Sequence, residues 1–159
     1  MESREEQAAW TFVRKARIGR LATIDSRGFP SVVPFCFTLM AMPEPTIVSV
    51  LDEKPKRVTD AALGRVRNIL KHPEVGLVID HYDEDWSNLV FVQAKGIARL
   101  IEVSDPLHAH TIVQLRIKYP QYEAMALEKR AVIAIDQLRL RVWRGDGQTF
   151  GQRDDQRDE

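Results

Sequence analysis

Ile18-Gly-Arg-Leu-Ala-Thr-Ile-Asp25 alternates apolar and polar side chains, and Pro30-Ser-Val-Val-Pro-Phe-Cys-Phe-Thr-Leu-Met40 follows it closely, rich in β-formers. A period of two is the signature of a half-buried strand. Between the two runs lies Ser26-Arg27-Gly28, where glycine supplies the positive φ that other residues resist. Together they read as a hairpin, and the hairpin decides the fold. Adjacent strands joined by so short a turn run antiparallel. Strands 18–25, 30–40 and 46–51 have no crossover helix between them, which excludes a doubly wound parallel sheet.

Outward from the hairpin, Arg4 to Arg17 carries apolar residues at three- and four-residue spacings, as an amphipathic helix does. A second helix is expected over Ala61–His72, ended by Pro73. Val75–Asp80 and Leu89–Ile101 read as strands joined by the acidic loop His81–Asn88. Ser104-Asp-Pro opens a helix in good form, with a capping side chain and proline in the first turn. It runs to Tyr119. Pro120 precedes a short helical piece over Tyr122–Leu127, and Ala131–Trp143 is the last strand. The expected architecture is mainly β with α: a split β-barrel, antiparallel, six-stranded and Greek-key, with flanking helices. Closure into a barrel removes the edges of so long a sheet, and an open α+β sheet is the runner-up. Residues 1–150 form one domain in this reading, and 151–159 form a disordered tail.

Size and charge narrow the function. A chain of 159 residues and 18.2 kDa is one domain's length and buries roughly 70% of its unfolded surface. The 23 basic and 23 acidic side chains cancel, which argues against a nucleic-acid partner. The single Cys36 makes no internal disulfide and fits a reducing compartment. The acidic start Met-Glu-Ser-Arg-Glu-Glu-Gln is the reverse of a signal peptide. Val32–Met42 is too short to span a bilayer. Cytoplasmic residence without a membrane partner is the expectation.

Catalytic motifs are sparse. Neither a G-x-S-x-G elbow, a phosphate-binding P-loop nor a G-x-G-x-x-G after a strand occurs. His108 and His110, two apart on a helix, point to different faces. His81, Asp83 and Asp85 read as a solvated acidic loop, and no metal ligand set stands out. Cys36 reads as a buried thiol inside a strand. Two features point to a ligand. Asp52-Glu-Lys54-Pro-Lys56-Arg57 places three cations within four positions, between a strand and a helix. Lysine offers a point charge and arginine a planar fork, which suits a phosphate. Arg65, Arg67 and Asn68 extend the patch, although a solvated loop has the same composition. Trp86 and Trp143, at a loop end and a strand end, suit stacking on a planar ligand or capping of a core.

In order and spacing these pieces resemble the flavin-binding split-barrel superfamily that includes pyridoxamine 5′-phosphate oxidase, the PPOX class. The resemblance rests on Ile18–Asp25, Gly28–Pro34, Ile47–Val50, Lys54–Arg57, Arg67–Val75 and Val92–Ala98. It thins through the helical segment and resumes over Leu138–Gly145. Asp80-His-Tyr-Asp-Glu-Asp-Trp86 further resembles a subgroup described as dependent on the deazaflavin coenzyme F420. The resemblance implies an oxidoreductase that moves a hydride to or from a small molecule. It also implies a homodimer with FMN or coenzyme F420 at the subunit interface. By position, Ser31, Val32, Val33 and Pro34 match the strand along the ring, and Ser49 and Val50 match contacts of the next strand. Lys54, Lys56 and Arg57 match the phosphate and ribityl anchors. Trp143 matches a tryptophan reaching over from the partner, and Trp86 joins the site by its loop. The oxidase's substrate-binding Arg-x-His is replaced here by Gln148-Thr-Phe-Gly-Gln-Arg153, which speaks against vitamin B6 oxidation. A non-catalytic FMN or haem carrier is the alternative. Lys71 joins Lys54, Lys56, Arg57 and Arg65 as a groove wide enough for the deazaflavin's polyglutamate tail.

Overall fold

Gly19–Ile24 (β1) and Pro30–Phe35 (β2) pair antiparallel, with Leu21 opposite Val33. The turn is held by Asp25, whose carboxylate accepts the Arg27 and Phe29 N–H groups at 2.9 Å each, while Gly28 takes φ +82°. This is a computed structural model; it describes residues 3–51, 60–148 and 150–151. The remaining elements are α1 (Arg4–Lys15), β3 (Thr38–Ala41), β4 (Pro45–Val50), α2 (Asp60–Lys71), β5 (Glu74–His81), β6 (Val90–Ile101), α3 (Pro106–Lys118), β7 (Val132–Arg144) and β8 (Phe150–Gly151). A 3-10 segment, Pro120–Ala124, stands where a second short helix is expected. The expected tail beyond Gly151 lies outside the described residues.

Three expectations are corrected. The strand expected over 30–40 is two strands, because the chain leaves β1 at Phe35 and crosses to the far half of the sheet. At the crossover the Phe37 N–H donates to the Tyr119 hydroxyl at 3.0 Å, and that hydroxyl lies 2.8 Å from the Phe37 carbonyl. Main-chain groups that would otherwise extend a ladder are satisfied by one side chain from the end of α3. The six strands of the expectation are therefore seven along one path, β2-β1-β5-β6-β7-β4-β3, with β8 paired to β7. The path also stays open. β2 and β3 end it, joined by Cys36–Phe37 rather than by hydrogen bonds, so the expected closed barrel is an open, curled sheet. Cys36 sits half-buried in this crossover, not within a strand.

Two apolar clusters hold the sheet. Leu21, Leu77, Ala94 and Leu140 lie directly opposite one another across β1, β5, β6 and β7, all at most 4% exposed. Ala9, Trp10 and Val13 of α1 join them. Val48, Val50, Val132 and Ala134 pack instead with Ile112 and Leu115 of α3 and with Tyr119 at its C-terminal cap. Full burial of each such aliphatic chain contributes about 1.5–3 kcal/mol. His108 belongs to this second half. It is 2% exposed, with Nε2 2.7 Å from the Arg130 carbonyl.

Beside the crossover lies an amino group with no hydrogen bond among the described residues. Lys118 Nζ is buried, 4.2 Å from the centre of the Phe37 ring. Burial, then the charge of Arg17, lowers its pKa to about 8. The sign follows from proton counting. Between pH 8 and 10 the unfolded chain keeps this proton while the folded chain has released it, so stability rises with pH. Above pH 10, Tyr119, whose pKa is pushed up chiefly by burial, acts in the opposite sense. The Lys118 side chain as a whole is half-buried although its Nζ is buried, which tempers the effect. The melting temperature is expected to rise by about 2–4 °C from pH 7.5 to 9.5 relative to Lys118→Met, the increment of roughly 1 kcal/mol in a domain this size. Parallel slopes for the two proteins would refute the assignment.

Candidate functional site

β2 is the end strand, so among the described residues one of its edges carries no ladder. Alternation divides its four candidate residues. Ser31 and Val33 face inward, opposite buried Thr23 and Leu21. Val32, 62% exposed, and Pro34 face outward. The inward pair has polar company, since the Asn68 side-chain amide of α2 donates to the Thr23 hydroxyl at 3.1 Å. That bond docks α2 against β1 and places Asn68 next to the start of β2.

Ser49 and Val50 sit on β4 beyond Thr38, the first residue of β3 in its pairing with β4. Both are buried. The Ser49 hydroxyl donates to the Cys36 carbonyl at 2.7 Å, and Val50 packs into the second cluster. Their side chains are committed to the fold. Lys54, Lys56 and Arg57 lie outside the described residues. The chain enters their segment from Leu51, at the end of β4, and leaves it at Asp60, the start of α2. Arg67 and Lys71 are exposed, one helical turn apart, and Arg65 is half-buried.

Trp86 and Trp143 lie at the far side of the sheet. Trp143, 39% exposed, stacks on Phe91 with ring centroids 5.6 Å apart and planes 15° from parallel. The two residues are directly opposite across β6 and β7. Trp86 is 67% exposed on a short 3-10 turn, Trp86–Asn88, in the loop between β5 and β6. Asp85 caps that turn, accepting from the Ser87 N–H at 3.1 Å and its hydroxyl at 2.7 Å. Those bonds, the hydroxyl's first, hold the Asp85 carboxyl below the usual carboxylate range. Gly145 pins the loop from the other side, its N–H donating to the Leu89 carbonyl at 2.8 Å. Trp86 and Trp143 thus share one end of the molecule. Phe91 escaped the sequence reading because its partnership with Trp143 depends on register across 52 residues, which local pattern does not carry.

Register also relates Val32 to Trp143. Val32, Ala22, Gly76, Lys95 and Arg139 lie opposite one another in turn across β2, β1, β5, β6 and β7. Opposed residues share a face, and Trp143, four residues beyond Arg139, is on it too. Four strand spacings, about 19 Å, separate Val32 from the strand of Trp143.

The family model described as pyridoxamine 5′-phosphate oxidase matches residues 5–144, and the chain belongs to that family. No curated protein sequence matches it. Among solved structures, the chain resembles the conserved hypothetical protein Rv2991 from Mycobacterium tuberculosis, at 22% identity and TM-score 0.68 over 91% of this chain and 86% of that one. The haem storage protein HutZ from Vibrio cholerae is similar at 15% identity and TM-score 0.63, over 86% and 94%. A structure described as an F420 reductase is similar at 18% identity and TM-score 0.54, over 79% and 89%. At these identities the likenesses speak for the fold. No helix of the described residues is long and apolar enough to cross a membrane.

Proposed function

We propose that the protein is an oxidoreductase that uses FMN or coenzyme F420 to move a hydride to or from a small molecule. The observation that carries this is the outward face of β2, open at one edge, with basic residues following β4 and an aromatic stack on the same sheet face. Those residues fit a flavin-type group. Bound there, the group supplies the hydride chemistry itself. The chain's part is to hold it. Val32 and Pro34 offer an apolar bed, and the free edge of β2 offers main-chain groups to a polar ring edge. Lys54, Lys56 and Arg57 would neutralise the phosphate, and Arg67 and Lys71 would extend the positive field along α2. Family membership supports the reading, and the likeness to an F420 reductase keeps the deazaflavin in view. The likeness to HutZ favours a second reading, storage of a flavin or haem without turnover.

Titration of the purified chain with FMN and with coenzyme F420, followed by turnover with reduced nicotinamide or the reduced deazaflavin, separates these readings. Binding with turnover is expected. Binding without it leaves the carrier, and a colourless protein that takes neither cofactor sinks both.

The 19 Å gap makes Trp143 useful to a β2-bound ring only from a second copy, so the functional unit on this reading is a two-fold dimer. Light scattering at micromolar concentration is expected to give twice 18.2 kDa. A monomer that still binds cofactor would overturn the role of Trp143.

A further inference from the structure

Where the first turn of α1 passes the end of β7 is a cavity of about 530 Å³, walled by Arg4, Glu5, Ala8, Val142 and Arg144 and rimmed by Gly147 and Gln148. It lies on the face of the sheet that α1 covers. Leu140 and Val142 are buried in one cluster with Ala9, Trp10 and Val13, and side chains alternate along a strand. Arg144 therefore points with Val142 and away from Trp143. The dimer proposed above turns the Trp143 face to its partner, so the cavity is on the other side of the sheet.

Local bonds hold its walls. Arg4 and Glu5 are four and three residues from Ala8, which puts all three on one side of the helix. The Ser3 hydroxyl fixes the start of that helix by accepting the Glu6 N–H at 3.1 Å. Beyond β7 the Gly147 N–H donates to the Arg144 carbonyl at 3.2 Å, and the Asp146 carboxylate accepts the Gln148 N–H at 2.9 Å. Phe150–Gly151 then pairs back onto Val142 and Arg141. Ala8 and Gly147 are too small to fill the space between helix and turn.

Three charged side chains line that space, two guanidinium groups and one carboxylate. Among the described residues those of Arg4, Glu5 and Arg144 form no ion pair with one another or with any other group. A guanidinium receives a carboxylate in a planar fork, so two of them suit two carboxylates, while Glu5 suits an ammonium. The walls carry one more positive charge than negative, and a complementary molecule carries the reverse.

We propose that this cavity binds a molecule with an acidic amino-acid head, its two carboxylates on Arg4 and Arg144 and its ammonium on Glu5. The volume is in the range of organic ligand sites and leaves room for a further group attached to that head. The proposal is independent of the redox function above.

The test titrates the full chain with L-glutamate, followed by nuclear magnetic resonance of the labelled protein. Glutarate, which lacks the ammonium, and L-glutamine, which lacks one carboxylate, are the comparisons. Glutamate is expected to bind about tenfold more tightly than either. Arg4→Gln and Arg144→Gln should each weaken glutamate about tenfold. Glu5→Gln should weaken glutamate and tighten glutarate, reversing their order. Ala8→Leu keeps a good helix former and fills the space, so it should abolish binding with α1 intact by circular dichroism. Saturating FMN should leave glutamate in place. Equal affinity for the three ligands, absent glutamate binding, or wild-type affinity in Arg144→Gln overturns the proposal. So does a Glu5→Gln variant that binds glutamate more tightly, because Glu5 is then the arginines' own counter-ion. Displacement of glutamate by FMN overturns it too, since the cavity then belongs to the cofactor.

Discussion

Replacing Lys56 or Arg57 with alanine is expected to weaken cofactor binding about ten- to a hundredfold, since each charge-assisted contact contributes roughly 1.5–3 kcal/mol and about 1.4 kcal/mol is a factor of ten. The prediction concerns a stretch outside the described residues, and its basis is composition and position. Three cations within four residues follow Pro45–Val50 and precede Asp60–Lys71. One flanking element carries Ser49, bound to the crossover. The other carries Asn68, bound to Thr23 beside β2. Both elements that bound the stretch are thus tied to residues beside β2. Asp83→Asn is the control. Its side-chain oxygen accepts the Asp85 N–H at 2.8 Å, and asparagine keeps that acceptor while removing the charge. Titration with FMN, coenzyme F420 and riboflavin reads the result. Lys56→Ala and Arg57→Ala should lose affinity for the phosphorylated ligands and not for riboflavin. Equal losses for all three would refute phosphate anchoring.

Gly145→Val should disorganise the tryptophan end of the molecule. A Cβ at this position would coincide with the Trp86 carbonyl, and main-chain atoms do not yield as a flexible side-chain tip does. Forcing extra volume into a packed site costs about 1–3 kcal/mol, a fall of several degrees in melting temperature for a domain of this length. The loop must leave Gly145, and the bond from the Gly145 N–H to Leu89 goes with it. Trp86 should move while Trp143 keeps its stack on Phe91. Near-ultraviolet dichroism and tryptophan emission should both change, and Trp86→Phe in the same background should remove most of the emission change. Cofactor affinity should fall in Gly145→Val if Trp86 lines the site. A variant that melts and emits like the wild type would show the contact to be looser than it looks.

The legibility of this chain follows the range of the interactions concerned. The hairpin turn was readable because Asp25 and Gly28 close it within five residues. The helices were readable from apolar spacing and from caps such as Asp105, which accepts the Leu107 N–H at 2.9 Å. The split at Cys36–Phe37 was not readable, because it is decided by Tyr119. Within 30–40 every residue but the prolines suits a continuous strand. Phe150–Gly151 was lost in a polar tail because two residues show no period. At the site, pattern located β2 and both tryptophans. It did not separate the outward Val32 and Pro34 from the inward Ser31 and Val33, nor bury Ser49 and Val50, because facing depends on pairing. Gln137 carries no mark of its conformation, since glutamine takes φ +50° only where a bulge such as that between β6 and β7 demands it.

The Tyr119 hydroxyl also orders events in time. It lies 2.8 Å from the Phe37 carbonyl and 2.9 Å from that of Arg17, partners 82 and 102 residues earlier in the chain. Synthesis delivers those partners first, and the ring that clasps them arrives only when α3 is complete. Until then the Phe37 N–H and carbonyl in the crossover between β2 and β3 lack the hydroxyl that satisfies both, and only the Ser49 contact with Cys36 ties β4 to it. Closing loops of that length draws on chain entropy before any contact repays it. A ribosome-bound chain halted before residue 119 holds every residue of β1 to β6, yet lacks the side chain that joins the end of α1 to the strand crossover.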